Sequence, residues 1–283
     1  MSVYTIIMAQ GKFLHRDNLT YPFEERGLQF GDGVYEVIRI YKGKYYLFNE
    51  HVDRLYRSLD AIDIKLVQPK ETLVKLLNEL LTQNNMVNDG FVYLQVTRGS
   101  AERIHVYPEN VEPNIYAYIK DTPRGVEQLK TGVSTITQPD DRWKHCYIKS
   151  LNLLPNIMAK QKAKEAGAYE AILHKDGVVT ECGSSNIFLV KNGEIFTHPT
   201  DGSILHGCVR MAVERFANDL KIPFNEVAFT TDEIKTADEL FLTSSINEIL
   251  PIIEVDSQII NNGQRGEITL SLQNAYINDA EII

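Results

Sequence analysis

A lysine set in a mostly apolar run is the first residue of this chain that asks for a chemical explanation. Lys149 stands in Cys146-Tyr147-Ile148-Lys149-Ser150-Leu151-Asn152-Leu153-Leu154. Burial disfavours the ammonium form and lowers a lysine pKa from about 10.4, leaving a neutral amine able to form an imine with a carbonyl. The plainer alternative, favoured on these residues alone, is a lysine that snorkels to water from a half-buried strand. Glu181 opens a second candidate, Thr180-Glu181-Cys182-Gly183-Ser184-Ser185-Asn186, a carboxylate before a turn of small polar residues. An acid so placed can keep a pyridinium nitrogen protonated, while an ordinary hairpin loop whose Ser and Asn side chains bond their own backbone is the other reading. Leu205-His206-Gly207-Cys208 leads into a helical pattern from Val209, so the amides of Cys208 and Val209 can hold an anion such as phosphate, although most helix starts meet only water. Arg103-Ile104-His105 puts a bidentate fork and a second donor in a polar loop, which suits a carboxylate. Exposed loop Arg and His usually meet solvent, and Arg54 with His51 on a helix reads as a solvated face unless an anion is near.

These residues need elements to position them. Strand-like runs occur at Val3–Met8, Val34–Tyr41, Tyr45–Phe48, Phe91–Thr97 and Ile115–Ile119, each bounded by Gly, Asn, Asp or Pro. Between them Glu50–Ile62 carries Val52, Leu55, Leu59 and Ile62 on one face, and Glu71–Leu81 repeats the pattern with Leu73, Leu76, Leu77, Leu80 and Leu81. Lys120-Asp121-Thr122-Pro123-Arg124-Gly125 is the expected linker. Beyond it, strands are expected at Val133–Thr137, Tyr169–Leu173, Asn186–Val190, Glu194–Thr197 and Leu240–Thr243. Helices are expected at Leu153–Ala166 and Val209–Leu220. The reading is a mixed α+β chain of two domains, residues 1–122 and 123–283, with the larger second domain carrying Lys149 and the active site between the two.

Composition narrows the partners. With 29 Lys and Arg against 38 Asp and Glu, the net charge of −9 argues against nucleic acid, which is bound through clustered cations. Three scattered cysteines make no disulfide framework and no metal-ligand spacing, which fits a reducing compartment. No leader-like start and no apolar run of about 18 residues is present, so a cytoplasmic protein is expected.

The separate signals occur in one order, and that order resembles the fold-type-IV pyridoxal-phosphate enzymes, within them the bacterial D-amino acid aminotransferases. The resemblance is carried by Arg26-Gly27-Leu28-Gln29-Phe30-Gly31-Asp32-Gly33-Val34-Tyr35-Glu36, Glu50-His51-Val52-Asp53-Arg54-Leu55, Thr97-Arg98-Gly99 and Arg103-Ile104-His105. It continues through Ile148-Lys149-Ser150-Leu151-Asn152-Leu153-Leu154, Glu170-Ala171-Ile172-Leu173-His174, Thr180-Glu181 with Ser184-Ser185-Asn186, Thr197-His198-Pro199 and Leu205-His206-Gly207. It implies pyridoxal 5′-phosphate as cofactor, Lys149 as the Schiff-base and proton-shuttling lysine, and Glu181 as partner of the pyridine nitrogen. By the same resemblance Arg54, the Cys208 and Val209 amides, Ser244 and Ser245 bind the cofactor phosphate, and Leu205 packs on its ring. Tyr35, Arg103 and His105 form a trap for the substrate α-carboxylate, the last two crossing from the second subunit of a homodimer. The implied reaction is transamination between D-amino acids, D-alanine and D-glutamate among them, and 2-oxo acids. The family's turn carries a serine where this chain has Gly183, and its phosphate turn a threonine where this chain has Val209. Branched-chain aminotransferases and aminodeoxychorismate lyases share the fold and are the alternatives; the former carry Phe-Glu-Gly where this chain has Tyr35-Glu36-Val37. A pyridoxal-phosphate lyase, or a protein that only stores the cofactor, are rivals of a different kind.

Overall fold

Alternation in β3 (Gly33–Tyr41) decides how the first part of the chain folds. Val34, Ile38 and Ile40 turn to one side of the strand, as do Val92, Leu94 and Val96 of β5 (Gly90–Thr97) and Ile115, Ala117 and Ile119 of β6 (Asn114–Asp121). These meet Leu55 and Leu59 of α2 (Phe48–Asp60) and Leu73, Leu77, Leu80 and Leu81 of α3 (Lys70–Gln83) in one core. Leu77 is fully enclosed, so truncating it to alanine should cost about 2–5 kcal/mol. The structure, a computed structural model, describes residues 3–282. Within them β1 (Ile6–Ala9), β2 (Lys12–His15) and β4 (Lys44–Tyr45) complete an antiparallel sheet of six strands in the order β2-β1-β6-β5-β3-β4. On the face away from the helices, Tyr35 stacks on Tyr93 and Tyr93 on Tyr118, with centroids 5.8 and 5.3 Å apart.

The expected strand Tyr45–Phe48 is shorter than its composition suggests. Leu47 takes a left-handed conformation (φ 52°), which ends extended pairing and lets α2 begin at Phe48. Val3 makes only an isolated bridge to Lys120, so the first strand starts at Ile6.

The second part holds a nine-stranded mixed sheet. Its strands are β7 (Val133–Pro139), β8 (Glu170–Lys175), β9 (Val178–Cys182), β10 (Asn186–Lys191), β11 (Glu194–Phe196), β12 (Phe224–Asn225), β13 (Glu239–Ser244), β14 (Glu248–Val255) and β15 (Gln258–Ile259). The order is β12-β11-β10-β13-β14-β7-β8-β9, with β15 beside β14; β7 runs parallel to both β14 and β8. Its helices are α4 (Val126–Thr131), α5 (Leu154–Glu165), α6 (Cys208–Asp219), α7 (Thr231–Ile234) and α8 (Glu267–Asp279), besides α1 (Arg26–Phe30) in the first part. Ile172, Val179, Ile187, Leu240, Leu242, Leu250 and Ile252 lie in its core, and α6 packs on β13 and α8.

The chain divides into two compact units at Pro123/Arg124, with one exception. Ile148–Asn152 belongs with the first unit, whereas the sequence reading put Lys149 in the second. The physical reason is visible: Ile148 is 6% exposed within the first core, and the segment hydrogen-bonds to β3. No helix among the described residues is long and apolar enough to cross a membrane.

Candidate active site

In the first unit, Lys149 is fixed through its backbone. Tyr35 N–H donates to Lys149 O at 3.0 Å, Leu151 N–H to Gly33 O at 3.0 Å, and Lys149 N–H to Ser58 Oγ on α2 at 3.2 Å. Asn152 Nδ2 donates to Gly31 O at 3.2 Å. Gly31 has φ 66°, and a β-carbon there would lie 2.7 Å from Asn152 Oδ1, so glycine is needed. Lys149 is half-buried and its Nζ lies 4.2 Å from the Tyr35 ring centroid. The amine therefore lies against the ring of Tyr35, a candidate substrate residue, on the outward side of β3.

The next residue of β3 points the other way. Glu36 is buried and takes both Arg54 Nε (2.7 Å) and Arg54 Nη2 (2.8 Å), with His51 Nδ1 at 2.7 Å. Burial alone would raise its pKa, but the Arg54 guanidinium and the His51 ring outweigh it and hold the carboxyl well below the usual range. Arg54 and His51 are thus buried, and the solvated helix face expected of them is not found. Two of the three nitrogens of Arg54 serve Glu36.

Arg103 and His105 lie exposed on the connection between β5 and β6. Both touch the ring of Phe30: Arg103 Cζ is 4.7 Å from its centroid, and the His105 ring meets it edge-on at 5.6 Å. Among the described residues neither is tied by hydrogen bond or ring contact to Tyr35 or Lys149.

In the second unit, Glu181 lies near the end of strand β9, and the turn after it is only Gly183–Ser185. It is buried, bonded to Arg142 Nη1, and accepts from Asn186 Nδ2 (3.0 Å) and Leu205 N–H (3.2 and 3.3 Å). Arg142 in turn binds Asp140 through Nε and Nη2, both 2.8 Å, and Asp140 accepts from Thr180 Oγ1 at 2.7 Å. Burial raises the pKa of Glu181, and Arg142 only partly offsets this. Burial also acts to raise Asp140, but the Arg142 hydrogen bonds prevail and lower it. Asn186 reaches further, donating to Leu205 O at 2.8 Å.

Gly207 caps α6 and has no side chain for a reason: a β-carbon would sit 2.1 Å from Asn186 Oδ1. The first intrahelical bond here runs from Met211 N–H to Gly207 O, so helix geometry leaves the amides of Cys208 and Val209 directed out of the helix end. Both residues are buried. Ser244 ends β13 and accepts from Asn247 N–H at 3.1 Å, with Ser245 half-buried beside it. Within this unit, Glu181 and Leu205 are joined directly, and Asn186 links that pair to the start of α6. A β-carbon at Gly183 would approach Glu170 Oε1 to 3.1 Å, so the small residue relieves crowding in the turn.

Arg142 and Asp140 escaped the sequence reading. A buried acid in a strand implies a cation somewhere, but Arg142 lies 39 positions before Glu181, beyond any local pattern. Among the described residues no cluster of His, Cys, Asp or Glu could hold a metal ion.

Comparison with known proteins adds to this geometry. The amino-transferase class IV family pattern matches residues 33–255. The D-alanine aminotransferase of Listeria innocua serovar 6a is 44% identical over 276 residues, covering 96% of this chain and 95% of that protein. That of Bacillus licheniformis is 44% identical over 272 residues, 96% of each chain. Among solved structures, the Escherichia coli branched-chain amino acid aminotransferase superposes with a TM-score of 0.91 at 22% identity, over 97% of this chain and 94% of that one. The Thermoproteus uzoniensis branched-chain aminotransferase with norvaline gives 0.88 at 26%, over 99% and 96%. At such identity the first of these speaks for the fold alone.

Proposed function

The chain belongs to the class IV aminotransferases, and on that premise we propose that it exchanges amino groups between D-amino acids, D-alanine and D-glutamate among them, and 2-oxo acids such as pyruvate and 2-oxoglutarate. The observation that carries the reading is 44% identity to D-alanine aminotransferases over 96% of the chain. It is supported by Tyr35, Arg103 and His105, the residue types a carboxylate trap requires.

Pyridoxal 5′-phosphate is the cofactor of this reading, and the residues fit it. A half-buried lysine faces an aromatic ring, a buried carboxylate is held by several donors, and a helix start with two amides directed out of its end suits a phosphate. When bound, that group supplies a carbonyl that exchanges amines and a ring that takes up an electron pair. Lys149 would be the amine that meets that carbonyl and, as a free base, would move the proton on and off the substrate's α-carbon. Glu181 pairs with the ring nitrogen, and its bonds to Arg142, Asn186 and Leu205 N–H fix the direction of its carboxylate. Arg54, the Cys208 and Val209 amides, Ser244 and Ser245 bind the phosphate, and Leu205 packs against the ring. A valine at 209 offers the phosphate its amide but no hydroxyl.

Tyr35 then takes one side of the substrate α-carboxylate, and Arg103 and His105 take the other from a second copy of the chain. Their exposure, and the absence of any tie to Tyr35 among the described residues, support giving them to a partner. The three cysteines are buried and free, as suits a cytoplasmic enzyme. The test is a panel of D- and L-amino donors with 2-oxoglutarate as acceptor. Turnover of D-alanine and D-glutamate is expected. Turnover confined to branched-chain L-donors would move the chain to the branched-chain branch, and ammonia with pyruvate formed without an acceptor would make it a lyase.

A further inference from the structure

The block Arg26–Gly33 supplies no group to the chemistry proposed above, yet it is tightly organised. Asp32 Oδ2 accepts from Arg26 Nε and Arg98 Nε, both at 2.8 Å, and the side chains of both arginines are buried. Arg98 also donates to Ile62 O and Asp63 O, at 2.6 and 3.2 Å, just past the end of α2, so its position is set by the core helix. Arg26 donates through Nη1 to Ile104 O at 2.9 Å, the carbonyl between Arg103 and His105. Its Cζ lies 4.7 Å from the Phe30 centroid, as does that of Arg103. Tyr107, two residues past His105, stacks its ring 3.5 Å from Arg98 Cζ.

The segment from Gly99 to Pro113 holds no helix or strand, and such a connection has little order of its own. An arginine there would have to be fixed anew each time a carboxylate arrived. Here the backbone is held at the carbonyl between the two residues, and both side chains lean on one half-buried ring. The charges add direction. One carboxylate, Asp32, serves two arginines, and Arg103 meets the same ring as Arg26; among the described residues Arg103 itself has no carboxylate bond of the kind that holds Arg26 and Arg98.

We infer that Phe30 is a positioning residue for the carboxylate trap: a pedestal, clamped by the Arg26–Asp32–Arg98 cluster, that presets Arg103 and His105 before substrate binds. The inference rests on the reading that Arg103 and His105 hold the substrate α-carboxylate. It gives the Arg26–Gly33 block a role: the block builds the surface on which Arg103 and His105 stand.

The experiment compares Phe30→Leu, Phe30→Tyr, Arg26→Gln and Arg103→Ala holoenzymes with the unaltered enzyme. Phe30→Leu should raise KM for D-alanine about tenfold, the factor that about 1.4 kcal/mol represents, with kcat within about twofold. Phe30→Tyr keeps the ring and should restore KM; Arg26→Gln keeps the ring but loses the clamp and should raise KM in the same direction. A second readout does not involve turnover. In protein carrying 13C-labelled histidine, the His105 ring signal, assigned by its loss in His105→Gln, is displaced by the Phe30 ring current; Phe30→Leu should abolish that displacement and Arg26→Gln reduce it. An Arg103→Ala enzyme with unaltered KM overturns the trap itself. A raised KM in Arg103→Ala beside unaltered KM and unmoved His105 signals in Phe30→Leu and Arg26→Gln overturns the pedestal alone.

Discussion

Replacing Arg142 with methionine keeps most of the side-chain volume and removes every donor, which isolates what the guanidinium does. Its side chain is 6% exposed, between Asp140 and Glu181 carboxylates that are 0% and 6% exposed. It gives Asp140 two hydrogen bonds, binds Glu181 and reaches Ser203 O at 3.2 Å. Breaking a buried ion pair by removing one partner costs about 3–5 kcal/mol, because a charge is left in low dielectric. Two carboxylates lose their cation here, yet the cost should not double. Asp140 keeps Thr180 Oγ1 and the backbone N–H of residue 142, and Glu181 keeps Asn186 and Leu205 N–H.

Protonation sets the pH dependence. In the variant both folded-state pKa values rise above their unfolded values, about 3.9 for Asp and 4.3 for Glu. The folded form then binds protons that the unfolded chain releases, so stability falls as pH rises through the folded values. The loss relative to the unaltered protein is therefore already present at pH 5, where the contribution of the lowered Asp140 has gone with its cation, and should grow further to about 3–5 kcal/mol by pH 8 as the raised carboxyls of the variant are forced to ionise. Urea denaturation followed by circular dichroism at both pH values, with cofactor removed from both proteins so that ligand linkage does not enter, measures this. An equal loss at the two pH values, or one below about 1 kcal/mol at pH 8, would refute the account of Arg142 as the counter-charge of two buried acids.

Glu36→Gln should destabilise by about 3 kcal/mol at pH 7, since it leaves Arg54 and His51 buried without their anion. Because the Glu36 pKa is lowered on folding, its contribution is present above the unfolded value of about 4.3 and is lost as pH falls through the folded value, so the gap between the two proteins should narrow in acid unfolding curves. Gly207→Ala must push Asn186 away and with it two bonds, to Glu181 and to Leu205 O; a stability loss of about 1–3 kcal/mol and weaker cofactor retention on gel filtration are expected. Lys149→Ala and Arg103→Ala chains, each nearly inactive alone, should regain activity when refolded together. With random pairing about a quarter of the sites would carry neither defect, and a mixture shown to contain heterodimer but no more active than its parents would refute a shared site.

The parts of the fold that can be read from the sequence are those with local periodicity. Val34, Ile38 and Ile40 of β3, and Leu55, Leu59, Leu73, Leu77, Leu80 and Leu81 of α2 and α3, declare their faces within one element, and the structure buries them, while Leu76, expected on the same face, is half-buried. What could not be read depends on partners far along the chain. Glu36 finds Arg54 eighteen positions away, which turns a helix face expected to be solvated into an interior one. The pairing of Ile148–Asn152 with β3, through an isolated bridge, draws Lys149 out of the unit its neighbours occupy, and no local pattern distinguishes such a bridged segment from one leading into a helix. No strand was expected past Thr243, and β14 carries Pro251, a residue that ordinarily marks a sheet edge or irregularity. At the candidate site, residue types carried more information than spacing. Lys149 stood out because a lysine is costly in an apolar run and Glu181 because a carboxylate precedes a turn of small polar residues, whereas Arg142 was hidden in a charged run that looks like surface.

The two buried glutamates show what that cost is for. Glu36 and Glu181 are both enclosed, yet their pKa values move in opposite directions, down for the first and up for the second. Desolvation acts the same way on both, so the difference lies in the counter-charges. Glu36 meets a bidentate arginine and a histidine ring. Glu181 shares one guanidinium with Asp140, which lies closer to full pairing through two bonds. Two carboxylates against one cation leave about one negative charge uncompensated in the interior. A residue serving structure alone would not favour such an imbalance, because a second donor cation or a glutamine would remove it. A ligand that brings a proton on a ring nitrogen to Glu181 would correct it, and the same bond would keep that nitrogen protonated and electron-withdrawing. The imbalance fits the proposed reading in which Glu181 meets a protonated ring nitrogen, and Arg142, shared with Asp140, is the cation whose share of charge Glu181 lacks.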